Sequence, residues 1–194
     1  SRAEIGMFAT AIACGQMLSG VVSGWLADRV GVRRLLLAGQ VLIGIFVILM
    51  AFSPSFPLAL LALVPVGLGS GMVNPAISKA VMYWFAPRTR GTAMSVKQTG
   101  VPIGGALAAA TLPSVAIAFG WRAGVIALGL AIVAAGVVSY MLYREYPEPA
   151  KPAGTPRKVG SREILRLLTR RDVLIASSLS APLVAIQFSV VTYF

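Results

Sequence analysis

Residues 24–34 have the sequence Gly-Trp-Leu-Ala-Asp-Arg-Val-Gly-Val-Arg-Arg, and they join two long apolar runs. The stretch combines one acid, Asp28, with three arginines and a central glycine, Gly31. Because glycine adopts a positive φ angle at little cost, this composition predicts a tight, charged turn between two helices. The apolar runs on its two sides then decide the fold class.

Six apolar runs divide the sequence, at about residues 5–27, 35–53, 58–85, 92–112, 122–142 and 173–194. A membrane-spanning helix needs about 20 predominantly apolar residues. Only 12% of the residues are charged, against about 25% in a soluble domain. A soluble protein with six such helices would have too little polar surface to cover them. The sequence therefore predicts an all-α integral membrane protein, a helical bundle.

The basic residues are concentrated in alternate connections between the apolar runs. Connections 28–34, 86–91 and 144–172 hold 13 of the 17 lysines and arginines. The positive-inside rule places these three connections in the cytoplasm, with residue 1 outside. We expect a multi-pass protein of the cell's inner (cytoplasmic) membrane whose net charge of +11 reflects topology, with the lipid bilayer as its partner and no nucleic acid.

Residue types for metal binding and catalysis are scarce. The chain has one cysteine, Cys14, and no histidine, which excludes a disulfide within it and a Cys/His metal site. No pair of acids lies within an apolar run to do acid–base chemistry. We expect neither an enzyme nor a cofactor.

The segment 144–172 differs from the rest of the chain. Four prolines lie in its first half, and arginines in its second half are spaced four residues apart, at Arg162, Arg166 and Arg170. This spacing predicts a short interfacial amphipathic helix over 161–170 in a cytoplasmic basic linker; the alternative is a solvated linker with a frayed helix. The start at Ser1 leads us to expect a fragment.

The turn at 24–34 resembles the loop signature of the major facilitator superfamily, G-x-L-a-D-r-x-G-r-k/r. Residues 84–94 look like that family's connection between helices four and five, and 120–122 like its entry to helix six. The resemblance implies that 1–143 is the N-terminal half without helix 1, and that 173–194 is the first helix of the C-terminal half. The missing remainder of the same transporter chain is then a partner. The matching residues of the signature are Gly24, Leu26, Asp28, Arg29, Gly31, Arg33 and Arg34.

In that family the signature is a gating motif, so the resemblance implies a secondary transporter that works by alternating access. A carboxylate at a helix C-terminus needs a cationic partner, and we expect the neighbouring arginines to supply one for Asp28. The run Val64-Pro65-Val66 stands where drug antiporters carry an arginine, and Pro102 and Gly105 depart from their fifth-helix pattern. The alternatives are a non-transporting sensor or scaffold, and a drug or metabolite efflux pump.

Two lysines lie inside apolar runs, each about six residues from the end nearest the basic connections: Lys79 and Lys97. A lysine in hydrocarbon costs about 2.5–3.5 kcal/mol. It persists when it faces water, a partner or an anion, or when its stem carries the ammonium to the interface. We expect the transported substrate to be a small solute, an organic or inorganic anion. The sequence does not identify the coupling ion. Further binding candidates on helices that line the family's central cavity are Gln98, Asn74, Gln16 and Gln187.

Small residues recur where membrane helices must approach one another closely. Two of them, Gly67 and Gly71, share a helical stripe with Asn74 and Ser78. The predicted packing positions are Gly20, Gly67, Gly71, Gly100, Pro102, Gly104 and Gly105.

Overall fold

The computed structural model describes residues 2–145, and all regular structure in that range is α-helical. Residues 7–146 form one compact unit; the second unit combines 1–6 with 147–194, of which only the start of the first helix is described. The predicted amphipathic helix at 161–170, the predicted span 173–194 and Gln187 lie outside the described residues. The five helices are α1 (Arg2–Val30), α2 (Val32–Ala51), α3 (Phe56–Trp84), α4 (Arg90–Phe119) and α5 (Trp121–Leu142).

The helices are long and apolar enough to cross a membrane. Helices α2 to α5 meet this condition individually, and α1 meets it when its two parts, Gly6–Gly20 and Val22–Val30, bent by 55°, are taken as one span. Large apolar side chains lie on the outside of the bundle, such as Met17 at 78% exposed and Ile117 at 88%. This surface suits hydrocarbon and not water, so the chain is a multi-pass membrane protein.

Consecutive helices run in opposite directions. Helix α2 packs against α3 and α5, and α4 packs against α5 and, over a smaller area, α3. Helix α1 lies parallel to α3: Gly15 is beside Gly67, and Ala27 packs with Ala76 and Ala80 further along. One end of this arrangement, which we call the basic end, therefore collects the arginines that the structure describes in the basic connections: Arg29, Arg33, Arg34, Arg88, Arg90 and Arg144.

Glycines allow the helices to touch backbone to backbone. A β-carbon at Gly69 would lie 2.6 Å from the Gly39 carbonyl oxygen, and one at Gly129 would lie 2.8 Å from the Gly44 oxygen. Both distances are well inside van der Waals contact, so α2 meets α3 and α5 at positions where only a hydrogen atom fits. Larger apolar side chains fill the space around these contacts, with Leu35 only 1% exposed.

Two single glycines separate helices and carry positive φ angles, Gly31 at 87° and Gly120 at 85°. Side chains other than glycine's disfavour this region, so the sharp turn predicted at Gly31 has its physical basis here. The turn at Gly120 is shorter than the outer connection that the sequence suggested. Helix α4 passes through Pro113 to Phe119, beyond the predicted end at residue 112, because a proline in a membrane helix is tolerated when its surroundings compensate the lost hydrogen bond.

Candidate functional site

An ion pair joins α1 to α3 at the basic end. The ammonium Nζ of Lys79 lies 2.7 Å from Oδ1 of Asp28 and donates a second hydrogen bond to the Ala27 carbonyl oxygen at 3.2 Å. The Lys79 side chain is 19% exposed and that of Asp28 is 56% exposed. Lysine at this position neutralises a carboxylate in the last turn of α1 and also binds an end carbonyl, and both interactions offset the unfavourable helix dipole.

Among the described residues, none of the three arginines of the signature makes the expected contact with Asp28. The Arg29 guanidinium stacks on the Trp25 ring, with Cζ 4.1 Å from the ring centroid. Arg33 donates from Nε to the Tyr140 carbonyl oxygen at 2.6 Å and covers the same residue's ring, while Arg34 is exposed. The cationic partner of Asp28 is therefore Lys79, 51 positions away, because α1 and α3 run parallel and bring those two positions to the same level.

Gly31 is constrained by its neighbour as well as by its φ angle. The Glu145 side chain lies against it, so that a β-carbon at Gly31 would overlap the carboxylate. Since Gly31 caps the N-terminus of α2, a carboxylate here lies at the favourable end of that helix dipole. The segment following α5 thus completes the turn between α1 and α2.

The second lysine within an apolar run, Lys97 on α4, contacts only neutral oxygens among residues 2–145. Its Nζ donates to Ser78 Oγ at 3.2 Å and to the Asn74 carbonyl oxygen at 3.5 Å. The Ser78 hydroxyl donates to that same carbonyl at 2.9 Å. Within residues 2–145 no carboxylate forms an ion pair with Lys97, whose side chain is only partly exposed. These contacts use two of the three N–H donors of the ammonium, so among the described residues one donor and a charge without a paired carboxylate are left for a further ligand.

The amides among the candidate residues have different surroundings. Gln16 donates from Nε2 to Ser70 Oγ at 3.1 Å, and Ser70 donates to the Gly67 carbonyl oxygen at 3.0 Å, so Gln16 links α1 to α3. Asn74 and Gln98 are exposed. The structure therefore brings Lys97, Asn74 and Ser78 together, leaves Gln98 on an open surface, and assigns Gln16 to an interhelical hydrogen bond.

The candidate packing glycines fall into two groups. Gly67 and Gly71 face α1, where a β-carbon would overlap the Ile12 carbonyl oxygen and the Ser19 hydroxyl, respectively. In contrast, four other candidate glycines are open: nothing lies within 4 Å of a β-carbon placed there. Three of these four lie on α4, which also carries Pro102 and has no buried residue. Those four glycines are Gly20, Gly100, Gly104 and Gly105.

Some residues of these clusters were not among the sequence candidates. Ser78 lies on the predicted small-residue stripe, and this position was the available signal for it. Tyr140 contributes a backbone carbonyl to Arg33, which no side-chain pattern reveals. Gln40 was left out because its helix is peripheral in the family that the sequence resembles; its Oε1 is buried at the α2–α5 contact, beside Gly136, and has no hydrogen-bond partner in the described region.

Comparison with known proteins identifies the family. The family model of the Major Facilitator Superfamily matches residues 1–194. The chain belongs to this superfamily. The family that the turn at 24–34 suggested is thus confirmed.

Three proteins that are similar to this chain are named for different roles. A hexuronate transporter of Bacillus subtilis (strain 168) is 24% identical over 76% of this chain and 35% of its own length. A 3-(3-hydroxy-phenyl)propionate transporter of Escherichia coli (strain K12) is 36% identical over 56% of this chain and 27% of its own. The membrane sensor protein UhpC of the same strain is 28% identical over 90% of this chain. The chain spans about 41% of UhpC's length, and less of the other two.

Proposed function

We propose that this chain is part of a secondary transporter that moves a small organic anion by alternating access. The observation that carries the proposal is the Lys97 ammonium, which among residues 2–145 is bound by the oxygens of Ser78 and Asn74 alone. A cation at this depth, without a carboxylate partner in the described residues, attracts an anionic solute and lowers the free energy of its entry from water.

The names of the relatives support a carboxylate as the solute. Both the hexuronate and the phenylpropionate proteins are named for carboxylates that carry further hydroxyl groups. A single ammonium binds such a solute through its carboxylate, and neighbouring hydroxyl and amide groups such as those of Ser78 and Asn74 suit its hydroxyls. Gln98, on the same helix as Lys97, is a further candidate contact.

We infer that the Asp28–Lys79 pair belongs to the gate and not to the solute site. Its 2.7 Å contact holds the end of α1 on α3, and its carboxylate already neutralises the lysine. Two lysines that the sequence treats as equivalent thus have separate roles: Lys79 stabilises one arrangement of the basic end, and Lys97 attracts the solute. The coupling ion stays outside this proposal.

The orientation that we propose places the basic end in the cytoplasm, with residue 1 outside, in the cell's inner membrane. The positive-inside distribution supports it. A cysteine placed at Arg33 in a Cys14→Ser background should resist a membrane-impermeant thiol reagent in intact cells and react after permeabilisation. Labelling in intact cells would reverse the orientation.

Uptake into proteoliposomes by the full-length protein tests the solute site. We expect uptake of a hexuronate or a hydroxyphenylpropionate, and none of an uncharged hexose. Lys97→Met should reduce uptake about tenfold or more, because a charge-assisted hydrogen bond contributes about 1.5–3 kcal/mol, while Lys97→Arg should retain part of it.

The matched control for this experiment is Thr99→Val. Thr99 is exposed on the same helix and its hydroxyl donates only to the Val96 carbonyl oxygen of that helix, at 2.7 Å. Uptake in this variant should match the unmodified protein. Undiminished anion uptake by a well-expressed Lys97→Met variant would refute the assignment of Lys97.

A sensor is the second candidate, because the relative that aligns over 90% of this chain is a membrane sensor protein. A sensor binds its ligand without moving it. Saturable binding of a carboxylate to the full-length protein, together with no uptake into proteoliposomes of any anion that it binds, would favour the sensor over the transporter.

A further inference from the structure

An open apolar groove lies at the basic end, between the ends of α3 and α5. Its volume is about 590 Å³, which is within the range of about 300–1,000 Å³ for ligand sites. Leu36 of α2 forms part of the lining, Ala80, Val81 and Trp84 contribute from α3, and Leu142 and Tyr143 contribute from α5. The groove is separate from the Lys97 cluster, which α3 forms with α4.

Polar groups occur only at the mouth of this groove, where α3 and α5 end. Arg144 lines the groove, is exposed, and has no hydrogen-bond or ion-pair partner among residues 2–145. Trp84 hydrogen-bonds to the Tyr143 hydroxyl, and burial raises the pKa of Tyr143 above its ordinary value. That hydroxyl accepts the indole N–H and keeps its own proton for donation to an acceptor.

This combination has the layout of a membrane interface. Tryptophan and tyrosine favour the level of the lipid headgroups, and arginine reaches just beyond it. Because Arg144 is the second residue after the end of α5 at Leu142, we expect its charged group at headgroup level and the apolar walls at the level of the acyl chains. The adjacent carboxylate of Glu145 lies against Gly31 and does not line the groove, but its charge acts on the Tyr143 hydroxyl and adds to the rise in the pKa of that group.

We propose that the groove binds one anionic phospholipid, with an acyl chain along Leu36 and Leu142 and the phosphodiester at Arg144 and Tyr143. Charge complementarity selects this occupant. The basic segment at 161–170 is the competing occupant within the chain, but its arginines repel Arg144, whereas a phosphodiester attracts it. The site is independent of which solute the protein carries.

Native mass spectrometry of the detergent-purified full-length protein tests the proposal. Phosphatidylglycerol and phosphatidylcholine with identical acyl chains are added at equal concentration. We expect about a fivefold preference for phosphatidylglycerol, the size expected for one basic residue near an anionic lipid. Arg144→Gln should abolish the preference, and Arg144→Lys should keep most of it.

Two further variants distinguish the contribution of the apolar groove to lipid binding from that of the Arg144 charge. Leu142→Trp adds bulk within the groove at a side chain that is 77% exposed, so it should weaken both lipids without disturbing the core. Arg88→Gln removes another exposed arginine that does not line the groove and should leave the preference unchanged.

Three results would overturn the proposal. The first is equal binding of the two lipids by the unmodified protein. The second is a preference that persists in a folded Arg144→Gln variant. The third is efficient disulfide formation between Leu142→Cys and Leu165→Cys, in a Cys14→Ser background, that phosphatidylglycerol does not suppress, because the linker segment would then occupy the groove.

Discussion

Helix α3 meets α1 and α4 through two different kinds of surface. Towards α1 it presents Gly67 and Gly71 to close backbone contact and pairs Lys79 with Asp28. Towards α4 its described contacts include the weak donation from Lys97 to Ser78 and Asn74, and no residue of α4 is buried. The difference teaches that glycine and lysine are closely packed or ion-paired where α3 meets α1, and lie in more open surroundings where α3 meets α4.

Glycine substitutions should give the largest difference in stability between the α1-facing surface of α3 and the open surface of α4. Gly67→Leu places a side chain against the backbone of α1 and should lower the free energy of unfolding by about 3 kcal/mol. Gly104→Leu is its matched control, because its β-carbon meets open space, and the change should stay within about 0.5 kcal/mol. Thermal unfolding in detergent measures both, and equal destabilisation would remove the distinction.

The two lysines should differ in their effect on stability. Lys79→Met leaves Asp28 unpaired at a helix C-terminus, and the expected loss is about 1 kcal/mol because the carboxylate is half exposed. The double variant with Asp28→Asn should recover most of that loss. Lys97→Met leaves no carboxylate unpaired within the described region, so it should alter the free energy of unfolding by less than about 0.5 kcal/mol.

High salt offers a check on that interpretation. Screening weakens a partly exposed ion pair, so the difference in stability between Lys79→Met and the unmodified protein should shrink as ionic strength rises. A difference that does not respond to salt would mean that the lysine stem, and not its charge, stabilises the α1–α3 contact.

The smallest expected difference concerns two serines of α3. Ser70→Ala removes the acceptor of Gln16 on the α1 side and should lower the unfolding free energy by about 1 kcal/mol. Ser78 likewise donates within α3 and accepts from the side chain of another helix, here Lys97. Because no residue of α4 is buried, water can replace that contact, so Ser78→Ala should cost less stability than Ser70→Ala but should raise the KM of uptake. A stability loss from Ser78→Ala equal to that from Ser70→Ala would contradict the comparison.

Hydropathy and local signals account for much of the fold. The turn at Gly31 was predictable because its charge, its glycine and its flanking apolar runs agree. The membrane class followed from the scarcity of charge, and the family from the signature that begins at Gly24. These features are local or compositional, so a single sequence contains all the information they need.

The pairing of side chains was not predictable in the same way. Asp28 has three arginines within six positions, and nearness in sequence favoured them; its partner Lys79 is near only because α1 lies parallel to α3. Tyr140 offers Arg33 a backbone oxygen, a group that every residue has. Interhelical register and backbone acceptors are tertiary properties, which is why the two equivalent-looking lysines separated only in the structure.

The glycine contacts along α2 restrict how this half of the protein can move. Gly39 meets Gly69 on one side and Gly44 meets Gly129 on the other, so shifting α2 along either neighbour by one residue would drive a side chain into a gap that holds only hydrogen. Sliding is blocked at both flanks. Helices α2, α3 and α5 should therefore move as one rigid unit, and α1 should move with them because its glycine contacts with α3 are just as close. Helix α4, which has no buried residue, is left as the described helix whose displacement is least opposed.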